Sequence, residues 1–440
     1  AAKVHSRQKV EVCAMKSETP SFSVRPSGAH IALALVALAG LVLFILACRP
    51  SWSPDGQRVL YSYGDKETLR AAVAVFDRKT HTSRVIWAGT DETESDHRLV
   101  ATQWSADGEQ AILTSASSEY TDLLVLPFRT QKTARRFTLD ASGSSEYLPY
   151  PQIANYLFIG GQKGIYRLNL ENGEILKKEP DKAISGEDGF LLFESGRTLM
   201  YLVKIKPEDV PAPKEGAKVP EEKPAGILEF GEIDPSDLSF RATQKVTEAM
   251  LNAKGIGDIT GFVDVEPKSR TMAITGELLD GGRPAIVILG NDGNDGIEKI
   301  LDAEMKSKED GLGNPQWSRD AKLIYAPALF RNAATGRTQF AVVEVPLDGK
   351  KPRIDPISEG PKAEFDDNFL SMAQIALSPD GKLIAVSNGY NEKVRPEKRG
   401  IFLLDVSQPG RPVSFYPAPA LPAVPQKPAN KTEAKPAAKE

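Results

Sequence analysis

The sequence predicts an all-β chain: a seven-bladed β-propeller of four-stranded antiparallel blades, preceded by an N-terminal hydrophobic signal or anchor segment. Three observations carry that expectation. One hairpin motif recurs four times, a second hairpin follows each copy, and weaker copies fill the gap at the spacing of a repeat.

The four clear copies are SWSPDGQRVLYSY at 51–63, QWSADGEQAILTS at 103–115, QWSRDAKLIYAPA at 316–328 and ALSPDGKLIAVSN at 376–388. Each sets a Trp or apolar residue before Ser, then a turn centred on Asp, then an alternating apolar run. Ser and Asp side chains can bond the backbone of the turn, Gly accepts a positive φ, and the apolar run supplies the returning strand. The second hairpins are VAVFDRKTHTSRVI at 73–86, LLVLPFRTQKTARRF at 123–137, FAVVEVPLDGKKPRI at 340–354 and IFLLDVSQPGRPVSF at 401–415. Two hairpins give four antiparallel strands, which is one propeller blade.

Weaker copies occupy 156–176, 198–240 and 271–301. The first turns then fall at Asp55, Asp107, about Ala154, Gly196, Lys268, Asp320 and Asp380, between 42 and 72 residues apart. Seven blades follow; six or eight would be a miscount within the same class. Trp52, Trp104 and Trp317 recur at one position of the repeat and are expected to pack between adjacent blades. In an up-and-down blade the first and third turns share one face, and the second turn and the link to the next blade share the other.

These repeats resemble those of the TolB-like (WD40-like) propellers, over roughly residues 50–416. The resemblance implies the propeller fold and, by similarity of role, protein binding at a bacterial envelope; a fold by itself says little about function. The separate N-terminal α/β domain of TolB has no counterpart, because the first repeat begins directly after Cys48.

Residues 31–47, IALALVALAGLVLFILA, carry no charge and follow Lys16 and Arg25, the pattern that export machinery reads. The run ends in Ile45-Leu46-Ala47-Cys48, which resembles the lipobox of bacterial lipoproteins. That resemblance implies a lipid on the Cys48 thiol, cleavage before it, and, with Arg49 rather than Asp next, an outer-membrane lipoprotein facing the periplasm or cell exterior. An uncleaved membrane helix is the alternative, since seventeen apolar residues are just enough to span a bilayer. The expected organisation is a signal or anchor over 1–47, the propeller over 48–416, and a disordered Pro/Ala/Lys-rich tail over 417–440.

The long insertions all fall in second turns and so crowd one face. Blade 4 carries KPEDVPAPKEGAKVPEEKPA at 206–225, with five Pro, four Lys, five acidic residues and no aromatic residue, a composition that cannot build a core. Blades 6 and 7 bring Arg331, Arg337, Lys393, Arg395, Lys398 and Arg399 to the same face. Loops on a rigid scaffold commonly carry binding residues, which makes these six the candidate partner-docking set, beside the plainer reading of a solvated surface.

Composition excludes several chemistries. The part beyond residue 47 holds 50 basic and 57 acidic residues, against a nucleic-acid binder. It holds one cysteine, Cys48, and two histidines, His81 and His97, so neither an internal disulfide nor a Cys/His zinc site is expected. Both histidines fall in polar loop sequence and read as surface residues. Asp292, Asn294 and Asp295 miss the ligand spacing of a calcium loop and read as a hairpin turn. No Gly-x-Ser-x-Gly elbow and no phosphate-binding Gly loop occur, and no cofactor is expected. The expected function is a non-catalytic, envelope-anchored scaffold whose partner is an envelope protein or cell-wall-associated lipoprotein. The rival is a propeller hydrolase or lyase with a carboxylate-lined central channel.

Overall fold

The computed structural model describes residues 49–421, apart from several stretches of which 180–189 and 206–226 are the longest. Its strands form seven antiparallel sheets, each cut from one continuous piece of chain: 51–88, 98–139, 146–178, 191–247, 256–301, 311–361 and 375–417. These are blades 1 to 7, and the protein is a seven-bladed β-propeller. Blade 1 shows the pattern, with Ser51–Trp52 innermost, then Arg58–Asp65, Arg70–Asp77 and Thr82–Ala88. The first strands of successive blades touch one another all the way round, including blade 7 to blade 1, so they form the inner ring. In blades 5 and 6 the inner strand is broken in two, Ile256–Ile259 with Asp264–Val265 and Gly311–Leu312 with Gln316–Trp317.

The apolar core is seven separate clusters, one between each pair of neighbouring blades. In blade 1, Val59, Tyr61 and Tyr63 face blade 7 while Leu60 faces blade 2. Successive side chains of a strand point to opposite faces of its sheet. A blade buried on both faces therefore needs near-continuous apolar runs in its middle strands, which is why VLYSY, LIYAPA and LIAVS read as they do. Outer strands keep one polar side, as in Arg135–Leu139 and Val413–Pro417.

The first turns are locked by side chains. Ser53 Oγ donates to Asp55 Oδ1 at 2.6 Å and accepts from Arg58 N at 2.9 Å, while Asp55 Oδ1 accepts from Gln57 N at 3.0 Å. Ser105 with Asp107, Ser318 with Asp320 and Ser378 with Asp380 repeat the arrangement. The four serines are buried, so their hydroxyls need these partners. In the weaker middle repeats the first two strands are Glu146–Pro149 and Tyr156–Gly161, Leu191–Ser195 and Thr198–Ile205, and Asp264–Val265 and Met272–Leu278, so the breaks between them fall where the spacing puts the first turns.

The four strong repeats are separated in sequence yet contiguous in the ring, as blades 6, 7, 1 and 2. Blades 6, 7 and 1 each lay the residue after Ser on the turn glycine of the next blade. An added Cβ on Gly381 would lie 3.0 Å from Arg319 Cγ, on Gly56 3.5 Å from Pro379 Cδ, and on Gly108 3.1 Å from Pro54 Cδ. All three glycines have φ near +70°, the conformation that L side chains avoid. In blade 6 the position is Ala321, at φ +59°.

One α-helix lies among the described residues, α1 (Glu248–Ala253), in the link from blade 4 to blade 5, with Thr247 as its N-cap. The pattern of apolar residues did not announce it, because two turns are too short to show a period.

Candidate binding faces and the inner ring

The ring has two functional surfaces to consider, the inner strands around the axis and the face that carries the second turns. The inner strands are engaged in joining blades. Trp104 Nε1 donates to Ser51 O at 3.1 Å, Trp52 Nε1 to Ala376 O at 2.8 Å and Trp317 Nε1 to Asp264 O at 3.1 Å, each reaching the blade before its own. The tryptophans therefore pack between blades as expected and also satisfy their indole N–H groups there.

Side chains of the inner strands complete the joint. Asp264 Oδ2 accepts from Trp317 N at 2.6 Å, and Gln316 Oε1 accepts from Leu377 N at 2.7 Å. Both bonds tie the backbone at the Trp position of one blade to the blade before it. Gln103 stands at the place of Gln316, but the matching residue of blade 3 is Pro149, which has no N–H to give. Its Oε1 is buried without a hydrogen-bond partner. Sequence reading did not pick out Gln316 or Asp264; the pair Gln-Trp in two repeats was the available signal.

Asp264 is also the inner-ring carboxyl with a displaced proton affinity. Burial pushes it above the ordinary carboxylate range, and the Arg49 guanidinium and the Trp317 N–H oppose that. Arg49 precedes blade 1 and Asp264 belongs to blade 5, so the two act on each other across the ring and not between neighbours.

A buried charged cluster joins blades 6 and 7. Arg411, in the third turn of blade 7, donates through Nη1 to Asp355 Oδ2 at 2.7 Å and through Nη2 to Glu344 Oε2 at 2.5 Å. Arg353 Nε reaches the other oxygen of Asp355 at 2.9 Å. Tyr325, beside Glu344, has its hydroxyl pushed up to about 12 by burial and by the carboxylate. Arg411 holds φ +43° to make this reach. It had no signature in the sequence, where it is one arginine in a polar turn.

The second-turn face carries the candidate docking residues. Contacts between turns bear out the division of faces: the Arg78 side chain, in the third turn of blade 1, pairs with Asp380 in the first turn of blade 7 at 3.3 Å, and Lys362 N, in a link, donates to Gly336 O, in a second turn, at 3.0 Å. Arg331 and Arg337 lie near the tip of the blade 6 hairpin, Arg331 half-buried and Arg337 paired with Glu359. Arg395 and Lys398 are exposed on blade 7, the latter ending a short 3-10 turn, Pro396–Lys398. Arg399 is buried, and its Nη1 donates to Gly64 O of blade 1 at 2.7 Å. The fold thus brings Arg331, Arg337, Arg395 and Lys398 to one face of two adjacent blades, with Arg399 turned into the joint between blades 7 and 1.

Cys48, Lys393, His97, the insertion 206–225, the run 292–295 and the tail beyond Leu421 lie outside the described residues. His81 is exposed, at φ 56°, with its ring edge-on to Tyr416 at 5.8 Å. Among the described residues no group of three metal-ligating side chains converges, and no helix is long and apolar enough to cross a membrane.

No protein-family model matches this chain, and no curated protein matches it either. Solved structures do. The hydrazine synthase of Kuenenia stuttgartiensis is similar at 13% identity and a TM-score of 0.52, over 82% of this chain and 95% of that one. Sqt1 of Saccharomyces cerevisiae is similar at 12% identity and a TM-score of 0.46, over 84% of each chain. An oligogalacturonate lyase of Vibrio parahaemolyticus is similar at 11% identity and a TM-score of 0.44, over 81% and 84%. At such identities the likeness is one of fold alone.

Proposed function

We propose that this protein is a non-catalytic β-propeller scaffold of TolB-like character, held to a bacterial envelope through its N-terminal segment by a lipid on Cys48. Its partner is an envelope protein or a cell-wall-associated lipoprotein, docked on the second-turn face of blades 6 and 7. The observation that carries this reading is the contrast between the two surfaces. Inner-strand polar groups such as Asp264 and Gln316 hold blades together, whereas Arg395 and Lys398 stand exposed on a hairpin face whose base is fixed by the buried Arg399. A rigid base under exposed cations suits recognition of an acidic protein surface.

The test is co-purification of the full chain from detergent-solubilised membranes. A stoichiometric partner is expected, and Arg395→Glu with Lys398→Glu should reduce its recovery at least about tenfold, as loss of two rim contacts of ordinary strength would. Recovery unchanged by the double reversal rejects the docking face. Palmitate labelling addresses the anchor separately: label on the wild-type chain that disappears in Cys48→Ala supports the lipid, and an unlabelled chain that keeps residues 31–47 supports a membrane helix instead.

One observation favours the enzymatic alternative, namely the inner-strand carboxyl of Asp264, whose proton affinity is raised by burial and opposed by the charge of Arg49. In that reading Asp264 is the acid of a hydrolase or lyase working in the central channel. Asp264→Asn separates the two: a scaffold keeps its partner unaltered, while an enzyme loses turnover on any substrate found for it.

A further inference from the structure

Six of the seven blade interfaces are crossed by the chain itself, which runs from the outer strand of one blade to the inner strand of the next. The seventh, between blades 7 and 1, has no such covalent link, because each sheet is cut from one continuous segment and no strand is exchanged. At the end nearest the first turns, this joint resembles the others. Trp52 Nε1 donates to Ala376 O, Pro379 rests on Gly56, and Arg78 pairs with Asp380.

The other end is built differently. Ser51–Trp52 pairs only with Leu60 and Val59, the half of Arg58–Asp65 that lies nearest the first turn. Toward the second-turn end, the Gly64 carbonyl is met by Arg399 of blade 7. The chain then returns to the same place. After the outer strand Val413–Pro417, Ala418 N donates to Arg399 O at 2.9 Å. Tyr416 packs on Phe76 of blade 1 with ring centroids 4.5 Å apart. Tyr416, Ala418 and Leu421 all lie against the cluster shared by Tyr61, Tyr63, Ala72 and Phe76 of blade 1 with Ile401 and Leu403 of blade 7.

We infer that residues 418–421 are a strap that holds the ring shut across this joint, doing for blades 7 and 1 what the chain link does for the other interfaces. Arg399 is its pivot, bonded through its carbonyl to the strap and through its guanidinium to blade 1. The joint is the place where the ring opens first, and the strap sets how often it does so. The inference does not rest on the proposed binding role.

Hydrogen exchange read by mass spectrometry tests it on the full chain and three variants: one ending at Leu421, one ending at Pro417, and full-length Leu421→Asp. Local opening is read from the protection of each peptide. The chain ending at Leu421 should match the full chain. The chain ending at Pro417 and Leu421→Asp should exchange at least about tenfold faster over 58–65 and 383–388, with protection over 199–203 and 286–289 unchanged, since opening one joint leaves the rest of the ring protected. Unchanged protection at the joint overturns the strap. Equal loss of protection in all blades also overturns it, because it would mean that these residues stabilise the fold generally. Leu421→Asp decides the matter by itself if the shorter chain does not fold.

Discussion

Removing the guanidinium of Arg411 should be the most damaging single change on the exposed rim of blades 6 and 7. Arg411→Met keeps much of the aliphatic stem and leaves two acidic residues with 9% and 6% exposure, Glu344 and Asp355, facing each other without it. Breaking a buried ion pair by deleting one partner costs about 3–5 kcal/mol. Here the lower end applies, because Asp355 retains Arg353 and Glu344 retains the Tyr325 hydroxyl. A second term separates two substitutions at this site. A non-glycine residue at positive φ costs about 1–2 kcal/mol, so Arg411→Gly recovers part of the loss that Arg411→Met does not. The expected losses are about 3 kcal/mol for Met and about 2 kcal/mol for Gly. Urea denaturation followed by tryptophan fluorescence measures both, since Trp52, Trp104 and Trp317 sit in blade interfaces. Arg411→Met with Glu344→Gln and Asp355→Asn should recover most of the stability, as no charge is then stranded. A loss below about 0.5 kcal/mol for Arg411→Met, the range of ordinary surface substitutions, would refute the reasoning, as would a triple variant no better than the single one.

Asp264→Asn should leave stability at neutral pH equal or higher. The folded carboxyl is raised above its unfolded value, so the folded state binds the extra proton and stability falls as pH rises from about 4 through the folded pKa. The variant should flatten that part of a melting-temperature profile, and an unflattened profile would show that Asp264 does not cause it. Gly108→Ala should cost about 1–2 kcal/mol for its positive φ, with the 3.1 Å approach of Pro54 adding to it, whereas Ala321→Gly at the same turn of blade 6 should stabilise by up to about 1 kcal/mol. Chemical denaturation of the two variants checks the opposite signs. Replacing 206–225 with a short Gly-Ser bridge should leave the melting temperature nearly unchanged, because Ile205 still pairs with Ile227 at the end of its hairpin and flexible loop length has a small closure cost. A fall of ten degrees would mean that the insertion packs. Far-ultraviolet circular dichroism should show less than about a quarter helix, since an all-β repeat leaves few residues for it.

The propeller, its seven blades and the division of its faces were legible in the sequence. The reason is local. A Ser-x-Asp turn and the apolar run after it are stabilised within a dozen residues, by bonds such as Ser53 to Asp55 and Arg58 to Ser53, so the pattern survives as a string. The tryptophans were legible for the same reason, as one position of that string. Their hydrogen-bond acceptors were not, because Trp52 finds Ala376 across 324 positions and nothing in a repeat names its neighbour in the ring. Of the six cations placed on the second-turn face, order along the chain was enough to put Arg395 and Lys398 there. Only the tertiary structure turned Arg399 inward to Gly64 and brought Arg411, an unremarked turn residue, onto Glu344 and Asp355. The closing joint was equally hidden. A repeat specifies what each blade is and the order in which blades follow, but closure joins the first copy to the last. That contact is made by distant side chains and by the residues after the final strand, whose partners are fixed only once the ring has formed.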